Sequence, residues 1–130
     1  MPKAQIEVST AYCLGVLLPV LEVARRRTNF DDFAHYIDDF LLGALLLYGA
    51  IAVTRRKPHG PVLLAVAWAT LCGGMYGSFV DQLQSSDAND VSGVANALVA
   101  AIKGVIYAVA IVSLVLSIKR AIPKQISSND

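Results

Sequence analysis

The sequence predicts an all-α integral membrane protein, a four-helix bundle with up-down topology and short loops. Three observations predict this fold class. The 130 residues are 55% hydrophobic and 16% charged, whereas soluble domains contain about 25% charged residues. The apolar residues are gathered into four long segments, and the charged residues lie mostly at the ends of those segments. Since a soluble domain of this size could not bury so much apolar surface, we expect lipid to solvate it.

The first two segments need their flanking charges to reach a membrane-spanning length. A hydrocarbon core of about 30 Å requires about 20 helical residues. The first span is predicted over about 8–27 and contains Glu22 and Pro19, which should kink it unless neighbouring helices satisfy the freed carbonyl. Because four crossings put the arginines at 25–27 outside, a non-spanning or re-entrant first segment stays open as an alternative. The second segment has only residues 40–54 between Asp39 and Arg55. Its predicted span therefore begins earlier, at about 30.

The third and fourth segments are long enough without such an extension, and their spans are predicted over about 61–83 and 91–119. Short polar stretches separate the segments, such as 55–61 and 85–90. Because short connections make consecutive helices antiparallel neighbours, residues 1–122 are predicted to form a single transmembrane domain. Residues 123–130 are predicted to be a polar C-terminal tail.

The charged residues also predict an orientation. With four crossings, one end of the bundle holds seven basic residues: Lys3, Arg55, Arg56, Lys57, Lys119, Arg120 and Lys124. The other end holds three arginines, at 25–27, and most of the acidic residues. We call these the basic end and the acidic end. The positive-inside rule predicts cytoplasmic termini in the cell (inner) membrane, and a net charge of +1 gives no reason to expect nucleic acid as a partner.

A lysine within the most hydrophobic segment is the main candidate for a functional site. Lys103 is the one charged residue between positions 91 and 118, and a lysine near mid-membrane costs on the order of 3 kcal/mol on insertion scales. Such a lysine normally faces protein or water, so we expect acidic partners from the same end of the bundle. The candidate ligand-binding residues are Lys103 and its helical neighbours Asn96 and Tyr107, with Asp81, Asp38, Asp39 and Glu22 as carboxylates.

Small residues on two helices predict a packing contact. Gly73, Gly74 and Gly77 lie in helix 3, and helix 4 carries Ala97 or Ala100, Gly104 and Ala108. In lipid, small side chains let helices approach closely. We expect these faces to pack helix 3 on helix 4 within one chain; self-association into a homo-oligomer is the alternative.

Metal-dependent and other enzymatic functions have weaker support. Asp31 and His35 share a helical face and are weak candidates for metal ligands, but one helix rarely completes a coordination sphere. We therefore predict no metal and no cofactor. Hydrolase, zinc-protease and phosphate-loop motifs are all missing from the sequence, and its catalytic residues stay unknown.

These observations predict a small polytopic protein whose partner is the lipid bilayer. Its buried lysine–carboxylate site would open to the acidic, extracytoplasmic face and bind or transport a small solute or ion. One alternative is an accessory or structural subunit that pairs with another membrane protein. The other is a small membrane-embedded enzyme that acts on a lipid-like substrate through Asp38, Asp39 and Lys103.

Overall fold

Four antiparallel helices make up the computed structural model, which describes residues 6–26, 33–86, 88–89 and 94–122, with the backbone alone for 25–26 and 33–36. The helices are α1 (Ile6–Arg26), α2 (Phe33–Thr54), α3 (Gly60–Gln84) and α4 (Asn96–Ala121). All four are long and apolar enough to cross a membrane. The predicted all-α four-helix bundle is therefore confirmed. The predicted tail at 123–130 lies outside the described residues.

The helices pack in chain order and close into a ring. α1 packs on α2, α2 on α3 and α3 on α4 through extensive contacts, whereas α1 meets α4 over a much smaller area. At the basic end the Thr54 hydroxyl donates to the Ala50 carbonyl at 2.9 Å, and Tyr12 lies 3.0 Å from the same hydroxyl. Of the four pairs of neighbouring helices, α1 and α4 share the least extensive contact.

α1 continues through Pro19, the residue predicted to kink it. Proline has no N–H group, so the carbonyl of Gly15, four residues earlier, loses its helical donor. That carbonyl faces Gly43 of α2: a methyl group built on Gly43 would lie 2.6 Å from the Gly15 oxygen and 2.9 Å from the Pro19 ring. Glycine at 43 therefore lets the two helices cross closely at the carbonyl that Pro19 frees.

A tight turn joins α2 to α3 at the basic end. The amide of Lys57 donates to the Ala52 carbonyl at 3.0 Å, and that of Arg56 donates to Val53 at 2.9 Å. Arg56 has a φ of 53°, the left-handed conformation. This pairing of amides with the last helical carbonyls is a Schellman motif. Pro61 follows in the first turn of α3, where its missing N–H costs no helical hydrogen bond.

α4 begins at Asn96 rather than near Val91. Ala95, which precedes it, makes no side-chain cap. The backbone N–H of Asn96 donates instead to the backbone carbonyl of Ala88 at 2.9 Å. Lys103 consequently lies only seven residues from the start of α4, about 10 Å along the helix axis from Asn96.

The core is built around Trp68 of α3, which is fully buried. The other buried residues of the same core cluster come from all four helices and include Val8, Ala11, Leu14, Leu46, Ala50, Leu64, Leu71 and Ala110. Outside this core many large apolar side chains are exposed, including Leu41, Val66, Leu98, Val105 and Val112. Exposed apolar surface on all four helices is what a bilayer requires of a spanning bundle.

Candidate functional site

Lys103 turns toward α3, not toward the exposed face of α4. Its ammonium donates to the Gln82 side-chain oxygen at 2.8 Å and approaches the Ser78 carbonyl oxygen at 3.4 Å. The side chain is half-buried. The prediction that Lys103 faces protein is therefore confirmed, and its described partners are an amide and a backbone carbonyl.

Gln82 joins Lys103 to the beginning of α4. The side-chain amide of Asn96 donates to the backbone carbonyl of Gln82 at 3.1 Å. The side-chain amide of Gln82 donates in turn to the side-chain oxygen of Asn96. Gln82 is 7% exposed even though it lies only two residues from the end of α3. Asn96, a predicted site residue, is thus linked to Lys103 by hydrogen bonds through Gln82. Gln82 is not one of the predicted site residues.

The predicted carboxylates lie on three helices, in the halves nearer the acidic end. Asp81 is exposed beside Gln82 on α3, Asp38 is exposed on α2, and Asp39 is half-buried. Glu22 of α1 is buried, at 7% exposure. Direct pairing of Lys103 with one of these four carboxylates stays a prediction.

Tyr107 extends the contact between α3 and α4 by one turn beyond Lys103. Its ring stacks on Phe79 with centroids 6.3 Å apart and lies 6.5 Å from the ring of Tyr76. Next to it, a methyl group built on Gly104 would lie 3.2 Å from Phe79. Aromatic side chains thus pack α3 against α4 on the side of Lys103 that lies toward the middle of the bundle.

The predicted packing of small residues between helices 3 and 4 is only partly right. Gly104 does meet α3, through Phe79. Gly73 and Gly77, however, are exposed and would have no atom within 4 Å of an added methyl group, and the nearest contact of Gly74 is Leu42 of α2. The expectation is wrong for helix 3, because aromatic and amide side chains make the contact with α4 and rotate the glycines outward.

An ion pair at the basic end was not predicted. Glu7 is 4% exposed, and Arg120 donates to its carboxylate through Nε at 2.6 Å and also through a second guanidinium nitrogen. This pair crosses the seam between α1 and α4. The signal in the sequence was the presence of both charges at the same predicted end of the bundle, since opposite charges at one end can pair.

Polar side chains lie on the inward side of α4 near both of its ends, with an apolar interval at Ala110 between Tyr107 and Ser113. Asn96, Lys103 and Tyr107 contact α3, Ser113 and Ser117 are 1% and 0% exposed, and Arg120 contacts α1. We call these six residues the polar stripe. From 96 to 120 the helix rises by about 36 Å, which exceeds a hydrocarbon thickness of about 30 Å. The polar stripe therefore runs from one end of the bundle to the other.

The two weak candidates for metal ligands are not tested. Asp31 lies outside the described residues, and the description of His35 is limited to its place in the α2 backbone. Within the part of the chain that is described, no group of three or more His, Cys, Asp or Glu residues could hold a metal ion.

Comparison with protein-family models, with curated proteins and with solved structures finds no match to this chain.

Proposed function

We propose that this membrane protein binds a small solute or ion at Lys103 and transports it along the polar stripe of α4. The observation that carries the proposal is the length of the stripe, whose six residues extend over the thickness of a bilayer while facing protein. Polar residues inside a membrane are costly, and those that face a bundle interior commonly form substrate or ion pathways.

The contacts of Lys103 favour binding at the ammonium. Gln82 and Ser78 offer it neutral oxygen acceptors, at 2.8 Å and 3.4 Å. A carboxylate, phosphate or halide ligand could replace such acceptors and gain a charge-assisted hydrogen bond, which is roughly twice as strong as a neutral one. The acidic end lies within about 10 Å of this site along α4, so the solute would come from that end.

A binding assay tests the proposal on the purified protein in detergent. Thermal unfolding is measured with and without chloride, phosphate, acetate and the zwitterion glycine. We expect at least one probe to raise the melting temperature of the wild type. Lys103→Met should remain folded, because the side chain keeps its apolar stem, and it should lose that rise.

Lys119→Met is the matched control, since Lys119 is exposed in the last turn of α4. It removes the same charge and should keep the ligand-dependent rise. The same two variants in proteoliposomes then test transport of the stabilising probe. An equal rise in melting temperature for both variants would exclude Lys103 as the binding group.

An accessory role in a membrane complex is the second candidate function, and it is favoured by the exposed glycines of α3. Gly73 and Gly77 lie one turn apart with open space above them, a spacing typical of contacts between membrane helices. Loss of a co-purifying membrane protein in Gly77→Leu, together with normal behaviour of Lys103→Met, would favour this role over solute binding.

A further inference from the structure

We propose that the basic half of the bundle contains an internal water site between α3 and α4, bounded by Trp68 and Ser117. Both side chains are completely buried. The indole Nε1 of Trp68 and the hydroxyl oxygen of Ser117 have no hydrogen-bond partner among the described residues. These two polar atoms are far from the Lys103 site and belong to the opposite half of the molecule.

The register of the two helices brings these residues to the same depth. Ser78 of α3 lies opposite Lys103 of α4. Moving ten residues toward the basic end leads from Ser78 to Trp68 and from Lys103 to Ser113, about 15 Å along each helix. The hydrogen bond from Asn96 to Gln82 gives a register three residues shorter and places Ala110 opposite Trp68. Trp68 is therefore level with residues 110–113, and Ser117 lies one to two turns beyond it, about 6–10 Å along the axis. Long helical side chains lean toward the N-terminus of their helix, which for α3 is the basic end, so the indole extends toward Ser117.

The core contacts of α4 agree with this register. Ala110 belongs to the same buried cluster as Trp68, and Leu114 packs against that cluster. Ser113 and Ser117 follow Ala110 at i+3 and i+7, which is the same face of the helix. The two buried serines therefore face the bundle interior, where Trp68 is also buried.

The chemistry of the atoms selects water as the ligand. The indole N–H can only donate a hydrogen bond, whereas the serine hydroxyl can donate and accept. One water can accept from the indole and bond to Ser117, with the Ser113 hydroxyl as a further partner, and buried waters usually have two to four such partners. Lipid tails offer no substitute, and a polar group left unpaired in a bilayer costs several kcal/mol.

This inference does not depend on solute binding at Lys103, although Ser113 and Ser117 also belong to the polar stripe. The water satisfies buried polar atoms of the folded chain, whether or not Lys103 binds anything. The Glu7–Arg120 pair is one turn from Ser117 along α4 and covers this end of the seam. The water is thus expected to exchange slowly with the basic surface.

The test uses the single tryptophan of the chain. In protein labelled with 15N-tryptophan and reconstituted in nanodiscs, Trp68 gives one indole N–H resonance. We expect a cross-peak between this proton and water that is positive in an NOE experiment and negative in a ROE experiment. That inversion excludes direct exchange of the indole proton, which gives the same sign in both experiments. A relay through the Ser117 hydroxyl proton is distinguished from a bound water by the melting temperature of the Ser117 variant.

Two serine variants complete the test. Ser117→Ala should abolish the cross-peak, shift the indole 15N resonance and lower the melting temperature. Ser9→Ala, which changes an exposed serine of α1, should do none of these. A wild-type indole without a water cross-peak overturns the proposal by itself. So does a Ser117→Ala protein that keeps the cross-peak or unfolds at a higher temperature, as expected when an unsolvated hydroxyl is removed.

Discussion

The Glu7–Arg120 ion pair joins a buried carboxylate to a guanidinium that reaches the surface, with side-chain exposures of 5% and 32%. Removing one partner should therefore lower the unfolding free energy by a different amount than removing the other. Arg120→Ala leaves a buried carboxylate without its cation, and we expect a loss of about 3 kcal/mol in unfolding free energy. Glu7→Ala leaves a guanidinium that can turn to water or headgroups, and the expected loss is about 1 kcal/mol.

Reversible unfolding in mixed micelles measures both losses. Lys119→Ala is the control, because it removes a neighbouring positive charge from the same helical turn at an exposed position. It should change stability by less than either variant. A larger loss of stability for Glu7→Ala than for Arg120→Ala would contradict the prediction. It would mean that an unpaired Glu7 carboxylate costs less stability than an unpaired Arg120 guanidinium.

The sequence predicts the inward direction of Lys103 but not its partner. A lysine in an apolar run has to find protein or water, so its direction follows from solvation alone. Gln82 is two residues from the end of α3, where an amide is equally well accommodated by lipid headgroups. Ser113 and Ser117 escape prediction for another reason: a serine in a membrane helix can satisfy its hydroxyl on its own backbone, so its presence does not indicate burial.

The helix crossings differ in how much space they leave for a side chain, and glycine variants can measure this. Gly43→Ala would bring a methyl group within 2.6 Å of the Gly15 carbonyl oxygen, a backbone atom that cannot move alone. We expect α1 and α2 to separate and the protein to lose about 1–3 kcal/mol of stability. Gly73→Ala meets open space and should be neutral, or stabilise by up to about 1 kcal/mol through helix propensity.

The same unfolding assay compares the two variants, which add an identical methyl group to a spanning helix. Equal destabilisation by both would mean that Gly73 is covered in the folded protein. A drop in oligomer size for Gly73→Ala, with the monomer's stability unchanged, would instead show that Gly73 lies in a face through which the chain associates with itself.

At the scale of helices, composition predicts spans well and helix contacts less well. The apolar runs bounded by Arg55 and Lys119 indicate where α2 and α4 end, because charges and turn residues mark those ends directly. The start of α4 differs, since Val91 continues the apolar pattern although the helix begins at Asn96. The spacing of small residues identifies a face of a helix but not the helix that packs on it. For this reason the sequence wrongly predicts that the glycines of α3 contact α4.

The whole molecule is a ring of four helices whose last seam is held at the basic end by charge. The contact area between α1 and α4 is small, and Glu7 and Arg120 join the two helices in the first turn of α1 and the last turn of α4. At the acidic end, α3 and α4 are joined by Gln82 and Asn96 instead. A solute that enters from the acidic end would therefore pass along α4 toward a seam held by an ion pair.

The orientation of this ring in the membrane is a prediction that thiol labelling can test. Ser86 and His59 are both exposed and lie in loops at opposite ends of the bundle. The native cysteines, Cys13 and Cys72, are first replaced by alanine. With both termini in the cytoplasm, as the positive-inside rule predicts, Ser86→Cys should react with an impermeant maleimide in intact cells, whereas His59→Cys should react only after permeabilisation. Because the acidic end would then face outward, this labelling pattern would also give the side from which the proposed solute would reach Lys103. The opposite pattern would mean that the arginines at 25–27 determine the orientation, and it would reverse the predicted direction of solute access without changing the bundle.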